Sequence, residues 1–279
     1  MYRNNLNTSK DETAVCNLGS INLSQHIVNG EIDKELVGKT TETAIRMLDN
    51  VIDINLYPTI EAENSNEKHR PIGLGVMGLQ DALYKLNINF ESNEAINFSD
   101  EIMEVISFNA ILSSSKLAKE RGVYQTYPGS KWDRDIFPVD TIKMLEEERG
   151  ANIDINKDGK LDWTEVRNHV KEHGMRNSNV MAIAPTATIA TIAGCYPCIE
   201  PIYKNIYVKA NMTGEFTVVN SYLVDDLKKL NLWNQEMLDN LKYYDGNLSM
   251  IAGIPEELKS KYKEVFDIDP IALIKMAAA

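Results

Sequence analysis

Cysteine is scarce: the 279 residues carry three, Cys16, Cys195 and Cys198. Three thiols cannot build a disulfide framework, so a functional role for them is redox or metal chemistry. The plain alternative for each is a small buried apolar side chain. Positive charge is also short, with 29 Lys and Arg against 41 Asp and Glu, a formal net charge of −12. That excludes a general nucleic-acid binder and a membrane-surface binder, both of which need a basic face. It leaves room for a local basic pocket around a small phosphorylated ligand. No apolar run approaches the ~20 residues that cross a bilayer. Residues Met1 to Glu12 are polar and lack the apolar centre of a signal peptide, so a cytoplasmic, reducing location is expected. Internal repeats, low-complexity segments and an obvious linker are all missing as well.

What is present reads as a soluble globular protein, with 43% hydrophobic and 25% charged residues. Residues 34–56 carry Leu36, Val37, Thr40, Ala44, Met47, Leu48, Val51 and Ile52 at helical spacing and predict a buried amphipathic helix ending before Pro58. A polar loop is expected over 61–70 and a short helix over 77–86. A longer helix is expected over 99–121, with Ser99 as its cap and Gly122 after its basic end. A loop over 123–138 follows, and helices over 139–149 and 163–173 flank a second, polar loop. Asn179 to Ile183 reads as a buried strand closed by Pro185, with a new element from Thr186 to Ile192. Ile206 to Lys209 and Phe216 to Val219 are further strands, and helices dominate from Ser221 onward. Strands separated by helices predict an α/β fold with a parallel component.

Three motifs compete for the function. Gly73-Leu74-Gly75-Val76-Met77-Gly78 fits the dinucleotide-binding pattern G-x-G-x-x-G. That reading needs a strand before the first glycine, yet Glu67 to Ile72 is charged and broken by Pro71. Glycines that let a helix approach closely are the better account, and a strand ending at Ile72 would revive a nicotinamide enzyme. The stretch from Asp154 to Glu165 fits a twelve-residue calcium loop. Its ligands would be Asp154, Asn156, Asp158, the Lys160 carbonyl, Asp162 and Glu165, with Gly159 at the sharp turn. Calcium-binding loops usually pair and this one stands alone, so a solvated acidic loop is the alternative. Third, Pro185-Thr186-Ala187-Thr188-Ile189 follows the strand at 179–183. Small residues at a helix start leave backbone N–H groups free for a phosphate, with the Thr186 and Thr188 hydroxyls beside them. An ordinary threonine cap is the bland reading.

Several stretches together resemble one family, the large subunit of aerobic (class I) ribonucleotide reductase. They are Asn7 to Leu23, Arg70 to Gly78, Gly129 to Trp132, His173 to Asn179, Ala184 to Ile189 and Cys198 to Asn205, in the family's order along nearly the whole chain. The resemblance implies a ten-stranded α/β barrel, of which residues 1–279 would be the later half, truncated at both ends. It implies reduction of ribonucleoside diphosphates to 2′-deoxyribonucleoside diphosphates, with a radical supplied by a metal-containing small subunit. By the same resemblance Cys16 matches one member of the reducing cysteine pair, and Pro185, Thr186, Ala187, Thr188 and Ile189 match the substrate-diphosphate loop. The family's Asn-x-Cys-x-Glu finger loop, with its radical cysteine, has no counterpart here, since Met1 to Lys10 hold no cysteine. An N-terminal half of the subunit is therefore an expected partner, and the chain alone is expected to be inactive. In the family a similar acidic loop followed by Asp-Trp falls at the calcium-like stretch, which favours a scaffold loop there. Cys195-Tyr196-Pro197-Cys198 is a C-x-x-C without the second pair a zinc site needs.

Overall fold

The computed structural model describes residues 8–153, 157 and 159–278. Its centre is a small parallel sheet. Strand β1 (Leu18–Asn22) runs beside β4 (Gly73–Met77) in the register Leu18↔Gly73 to Asn22↔Met77. On the other edge of β4 lies the extended stretch 179–183. The Leu74 N–H donates to the Val180 carbonyl at 2.9 Å and the Ala182 N–H to the Leu74 carbonyl at 3.1 Å. Only Leu74 and Met181 form a bridge, so the expected strand is a third extended rib and not a full ladder. β4 is buried along its whole length, which is what a strand covered on both faces requires.

The first two glycines of the G-x-G-x-x-G pattern, Gly73 and Gly75, lie inside this strand, and Gly78 makes the left-handed turn after it. A Cβ on Gly75 would stand 2.3 Å from the Ala182 carbonyl oxygen, and one on Gly73 would stand 2.7 Å from the Ala182 Cβ. The glycines therefore admit a neighbouring extended segment, not a helix. The strand begins after Ile72 where a dinucleotide turn needs it to end, so the nicotinamide reading falls.

Helices cover the sheet. α1 (Lys34–Ile54) is capped by Asp33, whose carboxylate accepts the Leu36 N–H at 2.9 Å, and buries Val37, Thr41, Ile45, Leu48 and Ile52 as one stripe. α2 (Ile60–His69) occupies the stretch expected as a polar loop. After β4 come α3 (Leu79–Leu86) and α4 (Asn93–Arg121). The cap of α4 is Ser92, whose Oγ accepts the Ala95 N–H at 3.1 Å, so this helix starts two turns earlier than expected and Ser99 is an interior, buried residue. α5 (Asp140–Arg149) and α6 (Trp163–His173) match expectation, and α7 is Ala187–Ala193. One apolar core joins β1, β4, the 179–183 rib, α1, α3, α4 and α6.

A second core lies beyond residue 196. The hairpin β5 (Ile206–Asn211) and β6 (Gly214–Val219) leads into α8 (Ser221–Lys229), α9 (Gln235–Tyr243) and α10 (Glu256–Lys261), while α11 (Pro270–Ala278) returns to bury Met276 in the first core. Leu223, Leu227, Leu241, Ile254 and Tyr262 are buried together, and Tyr84 of α3 joins them. The remaining strands, β2 (Ile27–Val28) and β3 (Glu31–Ile32), form a short antiparallel pair. The architecture is mixed helix and sheet with a parallel centre, and the described residues do not close a barrel. Among them no helix is long and apolar enough to cross a membrane.

Candidate functional site

The 179–183 rib ends at exposed Pro185, and the chain turns into α7 through Thr186. Thr186 is in the left-handed region (φ 53°, ψ 21°), and no side chain caps the helix start. This is not an ordinary threonine cap. The Thr186 side chain turns aside, and its Oγ1 accepts the Cys198 N–H at 2.7 Å. A hydroxyl that accepts one hydrogen bond still has its proton to donate. Thr186 is buried, whereas Ala187, Thr188 and Ile189 are exposed. The first turn of α7 is thus open to solvent at the carboxyl end of a parallel rib, where ligands of α/β folds collect.

The loop after α7 is tied to the neighbouring junction. Gly194 ends α7 in the left-handed region, and Cys195 follows. The Tyr196 N–H donates to the Asp81 carboxylate at 2.7 Å, and the Gly78 N–H donates to the Tyr196 carbonyl at 2.8 Å. Asp81, in the first turn of α3, is 3% exposed and also accepts the Tyr222 hydroxyl at 3.1 Å. Burial raises the Asp81 carboxyl above its ordinary range despite these donors. Sequence reasoning missed Asp81; its signal was the one acid in the segment Leu79 to Leu86.

The family model for the ribonucleotide reductase barrel domain matches residues 5–279. The chain belongs to the ribonucleotide reductase barrel-domain family. It is 56% identical over 271 residues to the ribonucleoside-diphosphate reductase subunit alpha of Chlamydia pneumoniae, a match covering 97% of this chain and 26% of that protein. It is 39% identical to the large subunit of that reductase in Danio rerio and 40% identical to that of Trypanosoma brucei brucei; each match covers 97% of this chain and 33% of the relative. The chain therefore spans between about a quarter and a third of the length of the curated relatives it matches.

Of the cysteines, Cys16 is placed elsewhere in the fold: it is exposed and lies just before β1, while the neighbouring Asn17 is buried and donates to Asn66 and to the Pro71 carbonyl, both at 3.2 Å. β1 and the 179–183 rib run the same way, so Cys16 stands at the amino end of the sheet and Thr186 at its carboxyl end. The five paired residues between those ends span ~17 Å at ~3.3 Å per residue. Cys195 and Cys198 are free thiols. Burial and the nearby Asp81 charge push Cys195 up to about 11, and burial raises Cys198. Both shifts oppose the thiolate that a reactive cysteine needs.

Of the calcium-loop residues, Asp154, Asn156 and Asp158 lie outside the described residues. Asp162 caps α6, its carboxylate accepting the Thr164 N–H at 3.0 Å, and that bonding lowers its carboxyl. Glu165 is exposed in the first turn of α6. The end of the loop is organised by Glu104 of α4, which accepts the N–H groups of Lys160 (2.9 Å) and Leu161 (3.1 Å) and the Trp163 indole N–H (3.0 Å). Among the described residues no group of three or more His, Cys, Asp or Glu is placed to hold a metal.

Proposed function

We propose that this chain is the later part of the catalytic barrel of a ribonucleoside-diphosphate reductase large subunit, working in the cytoplasm. The barrel would have ten strands, and the rest of it would come from polypeptide outside residues 1–279. In this reading Pro185, Thr186, Ala187, Thr188 and Ile189 hold the diphosphate of a ribonucleoside diphosphate, and Cys16 is one member of the pair that supplies two electrons for 2′ reduction. A metal-containing small subunit supplies the radical. The observation that carries the reading is the open, uncapped start of α7 directly after a parallel rib. Backbone N–H groups there have no intrahelical acceptor and meet the positive end of the helix dipole. The Thr186 hydroxyl proton adds a donor worth on the order of 1 kcal/mol, about fivefold in affinity. A calcium ion at 154–165 forms no part of the proposal, because among the described residues no group of three or more His, Cys, Asp or Glu is placed to hold a metal.

The test is a chimera in which residues 5–279 replace the matching segment of the Chlamydia pneumoniae subunit. With its small subunit and a dithiol, the chimera is expected to reduce CDP. Thr186→Val should raise KM about fivefold, and Ala187→Glu, which sets a negative charge beside the diphosphate, should raise it further. Unchanged KM in both variants would remove the diphosphate assignment. The 279-residue chain by itself is expected to give no deoxynucleotide above background.

A further inference from the structure

Asp81 is a buried carboxylate that the proposed chemistry leaves without a role. Packing at this point of α3 would be served by an apolar side chain, as at the adjacent Ala82 and Leu83, and burying a carboxylate is costly unless donors surround it. Here the donors are specific. One carboxylate oxygen takes the Tyr196 N–H at 2.7 Å and the other takes the Tyr222 hydroxyl at 3.1 Å. The Tyr196 residue is gripped at its other end too, because its carbonyl accepts the Gly78 N–H at 2.8 Å. Next comes Pro197, whose ring fixes its own φ and restricts Tyr196 to extended backbone. A residue held at both its N–H and its carbonyl, followed by a stiff proline, dictates where the next N–H points. That next N–H belongs to Cys198, in the left-handed region at φ 51°, and it donates to the Thr186 Oγ1 at 2.7 Å. With that lone pair occupied, the hydroxyl proton of Thr186 is turned away from Cys198.

We propose that Asp81 is a positioning residue: through Tyr196, Pro197 and Cys198 it fixes the Thr186 hydroxyl so that its proton is presented to the phosphate oxygens of a nucleoside diphosphate. This rests on the reading of residues 185–189 as the diphosphate loop. The carboxylate suits the role because it offers acceptors to both the N–H and the hydroxyl. An amide at this place keeps one acceptor and an alanine keeps none.

The experiment is a double-mutant cycle on the 279-residue chain, with inorganic pyrophosphate as the probe in isothermal titration and NMR-detected hydrogen exchange at the Cys198 amide as a second readout. Asp81→Ala is expected to weaken pyrophosphate binding about fivefold and to speed Cys198 exchange at least tenfold. Asp81→Asn should recover most of both. In the Thr186→Val background, Asp81→Ala should weaken binding no further, because its effect passes through the hydroxyl that Thr186→Val has removed. Leu241→Ala, a core truncation in α9, controls for lost stability and should leave both readouts near wild type. Multiplicative effects of Asp81→Ala and Thr186→Val, or wild-type binding by Asp81→Ala, would overturn the proposal. If the wild-type chain fails to bind pyrophosphate, the diphosphate reading is what fails. Exchange at Cys198 then decides the positioning role: faster exchange in Asp81→Ala but not in Leu241→Ala supports it, and unchanged exchange overturns it.

Discussion

Two junctions in this protein share a backbone plan and differ in what they leave open. β4 passes through Gly78 (φ 71°) into α3, and the 179–183 rib passes through Thr186 (φ 53°) into α7. Each turn is made by a left-handed residue, and neither helix has a side-chain cap. At the first junction Leu79, Gln80 and Asp81 are buried, and at the second Ala187, Thr188 and Ile189 are exposed. The glycine-rich signature that resembles a phosphate loop belongs to the closed junction. The bland Pro-Thr-Ala-Thr belongs to the open one. Glycines report where two backbones must come close; a phosphate site also needs N–H groups that a ligand can reach.

The largest expected effect breaks the support beneath the open junction. Asp49 is fully buried and accepts from Arg70 Nε (3.0 Å) and Nη2 (2.8 Å), Arg121 Nη1 (3.0 Å) and Asn177 Nδ2 (3.1 Å). Asn177 leads directly into the 179–183 rib. Asp49→Ala breaks a buried ion pair, leaving buried Arg70 only the partly exposed Asp53 as counter-charge, and should cost about 3 kcal/mol in urea unfolding. Exchange at the 179–186 amides should rise before exchange at 78–82. A cost under about 1 kcal/mol would mean that the network does not hold the rib.

Gly75→Val attacks the closed junction, forcing a side chain into the Ala182 carbonyl. A loss of about 3 kcal/mol or more is expected by thermal and urea unfolding. Gly19→Ala on β1 is the matched control, because its Cβ would meet nothing nearer than Leu48 at 3.4 Å. It should stay within about 1 kcal/mol of wild type. Equal losses in the two variants would show that close approach is not why β4 carries its glycines.

A smaller effect concerns pH. Burial raises the Asp81 carboxyl in the folded state. The protonated form is therefore favoured on folding, and its contribution is full below the ordinary carboxylate value of about 4 and is lost as pH rises through the raised one. Asp81→Asn should remove this slope, so wild type loses stability relative to the variant as pH climbs above about 4. Parallel stability curves across that range would contradict the burial of a charged group here. The smallest effect is at the open junction itself: Thr188→Ala, an exposed change, should alter stability by no more than about 0.5 kcal/mol while still weakening pyrophosphate binding.

Much of this was legible in the residues, for identifiable reasons. α1 announces itself by a stripe of large apolar positions, and the hairpin β5–β6 by two β-rich runs around Gly214. α2 was hidden because its inward face is polar: Ala62, Ser65, Asn66 and His69 repeat at helical spacing without hydrophobicity, and Asn66 donates to the Tyr57 hydroxyl at 2.7 Å. Ser92 and Ser99 each precede acidic residues, so the cap of α4 could not be chosen without seeing which serine has a free N–H within reach. The diphosphate candidates were read from the helix start, but the grip on Thr186 comes from Asp81 and Cys198, 105 and 12 positions away along the chain, and no local pattern joins them.

The open junction, and not the glycine-rich one, is proposed to receive a diphosphate. Titrating the ¹⁵N-labelled chain with inorganic pyrophosphate distinguishes the two junctions. Saturable shifts at the amides of Ala187, Thr188 and Ile189, abolished by Ala187→Glu and absent at Gly78 to Asp81, are the expected result. Shifts confined to Gly73 to Asp81, or none at Ala187 to Ile189, would place the diphosphate elsewhere or nowhere on this chain.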